Sequence, residues 1–167
     1  IGWYRLPERE QIAQFSQPFH VDPPHMLLVN ASALALIQTH KTLASLLADP
    51  SVTLGLIDGV SYGADLDGQI AHSANQIKRM TISPASMVHM LAANRFHYML
   101  VDQADWQHLR EQDDGLSQIA EYHVSDMPAG LKRFIVCSND VTAATMARIN
   151  HAITATVSKQ NNEWQHH

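Results

Sequence analysis

Between residues 52 and 124 the chain repeats one rhythm: a short apolar run, a turn, then a stretch with apolar residues at helical spacing. Strands of about six residues separated by single helices point to an α/β fold with a mainly parallel sheet, because a parallel neighbour needs a crossover that returns the chain to the same end. Residues 52–57 form an apolar run closed by Asp58-Gly59, which reads as a buried strand and its turn. Residues 62–72 set Leu66 and Ile70 four apart, as a helix does. Residues 77–82 are a second strand, ended by Ser83-Pro84. Pro84 suits the first turn of the next helix, where its missing N–H is no loss. Met87, Met90 and Leu91 then recur at i, i+3 and i+4, and Asn94 is the stop. Residues 96–101 give a third strand, and 102–112 a helix with Trp106 and Leu109 turned to the sheet. Residues 119–124 give a fourth strand. The crossovers are expected to be right-handed.

The flanks behave differently. Residues 26–30 and 132–138 are strand-like, each preceded by turn formers: Pro23-Pro24 before one, Met127-Pro128-Ala129-Gly130 before the other. Residues 141–157 make the longest helix, with Ser138 or Asn139 as its cap. Val141, Thr145, Ile149, Ile153 and Val157 lie four apart along one face. Residues 31–125 therefore suffice for one complete small α/β lobe. Residues 1–30 and 126–160 supply too few strands to cover both faces of a second sheet. The expectation is a partial lobe whose apolar face, carrying Ile135, Ile149 and Ile153, is covered by a detached N-terminal segment or a neighbouring chain.

Composition removes several function classes. An apolar fraction of 46% with 16% charged residues describes a folded chain. The formal charge of −5 leaves no basic stripe for phosphates, so nucleic acid is not an expected partner. No apolar run reaches the length of a membrane span. The one cysteine, Cys137, has no partner for an internal disulfide. Eleven histidines raise the question of a metal. The pairs His20/His25 and His89/His97 lack helix-face spacing with a third ligand close by, so no metal site is expected. A nucleophile elbow, a phosphate loop and a Cys/His pair are all missing, and no cofactor is indicated. The sequence opens on Ile-Gly-Trp-Tyr, from which a removed signal peptide or an internal cut is expected. The terminal His166-His167 is set aside as native or tag.

Three segments carry a resemblance. The first is Gly2-Trp3-Tyr4-Arg5-Leu6-Pro7-Glu8-Arg9-Glu10 with the following Gln14-Phe15-Ser16-Gln17-Pro18-Phe19. The second is Leu54-Gly55-Leu56-Ile57-Asp58-Gly59-Val60-Ser61-Tyr62-Gly63, and the third Ala93-Asn94-Arg95-Phe96-His97-Tyr98-Met99-Leu100-Val101-Asp102. Together they resemble the family-3 bacterial solute-binding proteins, the polar-amino-acid binders of ABC importers. The resemblance spans almost the whole chain. It implies a two-lobed fold of the type II periplasmic-binding-protein kind, with lobe 2 complete over 31–125 and lobe 1 partial over 1–30 and 126–160. Hinge strands are implied near 26–31 and 121–130, and the N-terminal third of the family's usual length is missing from this sequence.

The implied function is non-enzymatic. A periplasmic protein captures a small polar, amino-acid-like ligand by lobe closure, and an ABC permease or a sensor reads the closed form. Two alternatives stand beside it: an enzyme resembling cyclohexadienyl dehydratase, with Asp58 or Asp102 as acid or base, and a truncated relative without a working site.

The resemblance also assigns residues. Arg9 matches the arginine that meets a ligand carboxylate, a task suited to a planar guanidinium with paired donors. Its alternative is a solvated arginine at a helix start, paired with Glu8 or Asp22. Asp102 matches the aspartate that receives the ligand ammonium, at the C-terminal end of a strand. Its alternative is to cap the following helix. Gly59, Val60 and Ser61 lie where a strand turns into a helix, so their N–H groups are placed for an anionic ligand group. Tyr4, Phe19 and Tyr62 are candidate aromatic walls, or ordinary packing. Two departures bear on ligand class: Tyr4 stands where many members carry Thr, and Ile57-Asp58 where a basic residue is frequent.

Overall fold

The computed structural model describes residues 3–163. In chain order the elements are α1 (Pro7–Glu10), β1 (Ala13–Val21), β2 (Met26–Asn30), α2 (Leu34–Ile37), α3 (Leu43–Leu47), β3 (Thr53–Ile57), α4 (Ala64–Ala71) and β4 (Gln76–Met80). They continue with α5 (Pro84–Ala92), β5 (Tyr98–Val101), α6 (Gln103–Gln112), β6 (Ile119–Tyr122), β7 (Lys132–Ser138) and α7 (Ala143–Glu163). Short 3-10 turns at Ala31–Ala33 and Asp114–Gln118 lead into α2 and β6. Two compact units result: Pro23–Ala129, and Ile1–Asp22 together with Gly130–His167. The first division falls at 22/23 where 30/31 was expected, and the second, at 129/130, lies within the expected hinge segment 121–130. The reason for the first is β2, whose five residues are all buried within the sheet of the larger unit.

That sheet has the order β4-β3-β5-β2-β6. β3 runs parallel to β4 and β5, while β2 runs antiparallel to both β5 and β6. Four strands thus point the same way, as the βα rhythm requires, and β2 alone is reversed. The sheet is thus mainly parallel in strand direction, as expected, with β2 inserted antiparallel between β5 and β6. Successive side chains of a strand point to opposite faces, and both faces are covered here. Leu27 and Val29 of β2 join a core with Ile37, Leu43, Leu46, Leu54 and Leu66. Met26 and Leu28 join another with Met87, Leu91, Phe96, Met99 and Trp106. The first layer holds α2, α3 and α4, and the second α5 and α6.

Local signals explain most helix ends. Pro84 sits in the first turn of α5, Ser83 caps it through the Ser86 N–H, and Asn94 follows it at φ 55. Thr42 caps α3 through the Ser45 N–H at 3.1 Å. Asp126 reaches the same helix end from a distant segment, accepting the N–H groups of Leu43 and Ala44. One polar group lies deep between the elements. The Asn75 amide donates to the carbonyls of Leu46 and Asp49, each at 2.8 Å, and accepts the Tyr98 hydroxyl at 2.7 Å. A buried amide with its donors and acceptor all satisfied joins α3, β5 and the loop before β4 without leaving an orphaned polar atom.

The smaller unit has a two-stranded antiparallel sheet, β1 with β7, and the helix α7 against it. β1 contains Pro18, and its register shifts on either side of that residue. A proline is tolerated because a two-stranded ladder leaves every second N–H outside the pairing. α7 begins at Ala143, with Thr142 as its cap through the Thr145 N–H at 3.3 Å. Neither Ser138 nor Asn139 serves; the Ser138 hydroxyl bonds Asp140 instead. The buried face of α7 carries Met146 and Ile153, while Thr145 is exposed, so the expected stripe is displaced by one residue near its start. An open groove of about 600 Å³ runs along this unit, lined by Phe19, Ile135, Ile149, Ile153 and Val157 among others. Ile153 is buried by this chain, whereas Ile135 and Ile149 are only half-buried. Among the described residues no helix is long and apolar enough to cross a membrane.

Candidate functional site

In the larger unit, strand direction gathers several candidates on one sheet edge. The C-terminal ends of β3, β4, β5 and β6 share this edge with the start of β2, since Met26 pairs with Val101 and Leu27 with Tyr122. Asp58 and the turn after β3, Thr81 after β4, Asp102 after β5 and His25 before β2 all belong to it. Such an edge of an open α/β sheet is where loops meet a ligand.

The β3–α4 turn is built by two glycines at positive φ, Gly59 at 75° and Gly63 at 94°. Between them Val60 is exposed and the Tyr62 ring is buried. Ser61 and Tyr62 already have partners: Asp67 accepts the Ser61 hydroxyl at 2.5 Å and the Tyr62 N–H at 2.9 Å. The Ser61 hydroxyl in turn accepts the Gly63 N–H at 3.2 Å. Asp67 was not singled out from the sequence. Its position in the first turn of a helix was the available signal, since a carboxylate there complements the free amides. The turn therefore presents donors held in an internal network. The Tyr62 ring meets His25 edge-on, 5.7 Å between centroids, and burial pushes its phenol above the usual value.

Asp58 accepts the Thr81 hydroxyl at 2.9 Å. Asp102 caps α6, its Oδ1 accepting the N–H groups of Ala104 at 2.8 Å and Asp105 at 3.4 Å. The capping role weighed for Asp102 is thus occupied.

The remaining candidates lie in the smaller unit. Tyr4 donates its hydroxyl to Asp22 at 2.8 Å, and Arg133 reaches the same carboxylate at 2.6 Å while stacking on the Tyr4 ring at 4.3 Å. Tyr4 is therefore part of a buried structural cluster around Asp22, whose exposure is 8%. Arg9 pairs with neither Glu8 nor Asp22. Its guanidinium stacks over the Trp3 ring at 5.0 Å, and one N–H reaches the Tyr4 carbonyl at 3.2 Å. Phe19 lines the apolar groove beside α7. Among the described residues no cluster of three or more His, Cys, Asp or Glu side chains is arranged to hold a metal ion.

No family profile matches the chain, and no curated protein sequence matches it. Solved structures do. A structure from work on glutathione import in Gram-positive bacteria, via GshT and the cystine ABC importer TcyBC of Streptococcus mutans, is 10% identical with a TM-score of 0.66. The match covers 96% of this chain and 62% of that one. The second substrate-binding domain of Lactococcus lactis GlnP, in its open conformation, is 15% identical with a TM-score of 0.57, covering 98% and 64%. The ancestral amino-acid-binding protein AncCDT-1, a precursor of cyclohexadienyl dehydratase, is 15% identical with a TM-score of 0.66, covering 98% and 65%. The chain spans less than two thirds of these chains. Nearly all of it follows their path, so it carries the α/β fold of amino-acid substrate-binding domains, the type II periplasmic-binding-protein fold.

Proposed function

We propose that this chain is the ligand-capturing part of an extracytoplasmic solute-binding protein, periplasmic in location, for a small amino-acid-like ligand that carries a carboxylate. The observation that carries this reading is the fold: 96–98% of the chain follows solved amino-acid-binding domains. Fold alone does not set function, and the side chains add what it lacks. Arg9 is the anion receptor, because its guanidinium is stacked and, among the described residues, has no carboxylate partner. Asp102 is the cation receptor, at a strand end of the larger unit, with Asp58 adding negative charge on the same edge. Ser61, Gly59 and Tyr62 shape that edge, and Tyr4 holds the segment that carries Arg9. The protein delivers its ligand to an ABC permease or to a sensor.

The open groove along α7 supports a second part of this reading. Ile135 and Ile149 receive a covering element from outside this sequence, either a further segment of the polypeptide or a neighbouring chain.

Calorimetric titration of the protein with each of the standard L-amino acids tests the main reading. Binding of at least one is expected, together with its loss in Arg9→Ala at an unchanged circular dichroism spectrum. Wild-type affinity in Arg9→Ala moves the carboxylate site elsewhere. Steady consumption of a cyclohexadienyl acid replaces the binding reading with an enzymatic one.

A further inference from the structure

Three arginines of the smaller unit lie over aromatic rings: Arg5 over Phe15 at 5.9 Å, Arg133 over Tyr4 at 4.3 Å and Arg9 over Trp3 at 5.0 Å. Two of them are neutralised. Arg5 pairs with Glu10, and Arg133 with Asp22. Among the described residues Arg9 meets the Tyr4 carbonyl and the indole face and no carboxylate, and it is half-buried. A ring below a guanidinium satisfies its face but none of its in-plane N–H groups. Of the five N–H donors such a group carries, one is engaged by Tyr4; no other described residue takes up the edge, which suits two parallel bonds to a carboxylate.

Trp3 is well fixed for the task. Its N–H donates to the Phe134 carbonyl at 3.1 Å and its carbonyl accepts the Phe134 N–H at 3.0 Å, an isolated bridge that ties the segment to β7. Yet the residue is 49% exposed, far more than an aromatic side chain recruited for packing. We infer that Trp3 is a positioning residue that holds the Arg9 guanidinium flat and preorganised as a carboxylate receptor. This rests on the reading of Arg9 as the anion site. Preorganisation strengthens binding by removing the rotamer freedom that a long arginine otherwise loses on contact. The effect is on the order of two- to fivefold in affinity at an exposed stacked pair.

The test follows the arginine side-chain Nε–Hε resonances by NMR in wild type, Trp3→Ala and Trp3→Phe, with acetate as the probe. In wild type the Arg9 resonance carries a ring-current shift that disappears in Trp3→Ala, while that of Arg133 stays in place. Acetate perturbs Arg9, with a dissociation constant raised two- to fivefold in Trp3→Ala and less in Trp3→Phe. An Arg9 resonance indifferent to loss of the indole overturns the proposal, as does unchanged acetate affinity once the ring-current shift is gone. If the shift is present but acetate leaves Arg9 untouched in every variant, the anion-site reading itself fails, and the role of Trp3 with it. Trp3→Phe keeps a ring and serves as the measurement should Trp3→Ala lose its fold.

Discussion

Gly55 sits in the middle of β3, the strand that delivers the Asp58–Ser61 turn, and the structure leaves no room for a side chain there. A Cβ built on Gly55 would lie 2.5 Å from Met87 Cε, 2.6 Å from Phe96 Cε2 and 2.7 Å from Phe96 Cδ2. Ordinary contact begins near 3.4 Å, so each neighbour must retreat by about 0.7–0.9 Å. Met87 is a flexible tip but fully buried, and the Phe96 ring is 2% exposed, so neither has space to move into. Overpacking of this kind costs about 1–3 kcal/mol. Replacing glycine also restrains the unfolded chain, which returns about 0.5–1 kcal/mol. The net expectation for Gly55→Ala is a loss of about 1–2 kcal/mol. With a urea slope of about 2 kcal/mol per molar, the midpoint falls by roughly 0.5–1 M. Gly68→Ala is the matched control: nothing lies within 4 Å of its Cβ, it is in α4, and it should gain about 0.5–1 kcal/mol. Urea melts followed by circular dichroism read both. A Gly55→Ala protein as stable as wild type would refute the close packing of α5 on β3.

Other consequences follow from single contacts. Asp126→Ala removes a carboxylate cap from α3 and should cost about 0.5–2 kcal/mol in the same melts. Partial desolvation raises the Asp126 carboxyl, but the N–H groups of Leu43 and Ala44 outweigh it, so the group sits below its usual value. Its contribution is therefore complete above the ordinary aspartate range and fades as pH falls through the depressed folded value; Asp126→Asn should flatten that acid limb of stability against pH. Tyr98→Phe strands the Asn75 carbonyl oxygen in the core and should cost about 1–3 kcal/mol, more than Tyr122→Phe, whose partner is the half-buried His40 carbonyl. Burial pushes the Tyr98 phenol up, so its share of stability holds below the ordinary tyrosine range and is lost above it; Tyr98→Phe should show less alkaline destabilisation than wild type.

The larger unit was legible because its signals are local and reinforce one another. Pro84 at a helix start, Asn94 at a positive φ after α5 and the apolar runs of β3 and β5 each act within a few residues. What escaped is non-local. The reversed strand β2 carries no mark of its direction, since a strand buried on both faces reads the same either way. β1 was hidden by Pro18 and by polar residues (Gln14, Ser16, Gln17, His20) that suit a two-stranded ladder but not a core strand. α7 illustrates a smaller failure: the cap at Thr142 shifts the start by a few residues, and the buried face moves from Thr145 to Met146.

Site residues were harder for a different reason, which the three carboxylates of the larger unit's edge make plain. Asp58, Asp67 and Asp102 each already accept a hydrogen bond from their own chain: from Thr81, from Ser61 and Tyr62, and from the first amides of α6. A carboxylate that caps a helix or ties a turn uses the same atoms that would bind an ammonium group, so the sequence pattern for the two roles is identical. Only the pattern of remaining lone pairs separates them, and that pattern depends on partners several residues away. Arg9 shows the converse. The partners weighed for it, Glu8 and Asp22, are not the ones it takes, and the adjacent Glu10 does not meet it either. Glu10 instead pairs with Arg5, which removes a competitor and leaves Arg9 to the indole of Trp3. Arg5→Ala should therefore lower carboxylate affinity without touching the site, because a freed Glu10 becomes the nearest anion available to Arg9. Restored affinity in the Arg5→Ala, Glu10→Gln double variant, measured by the same calorimetry, would establish that competition. A double variant as weak as the single one would show that Arg5 acts in some other way.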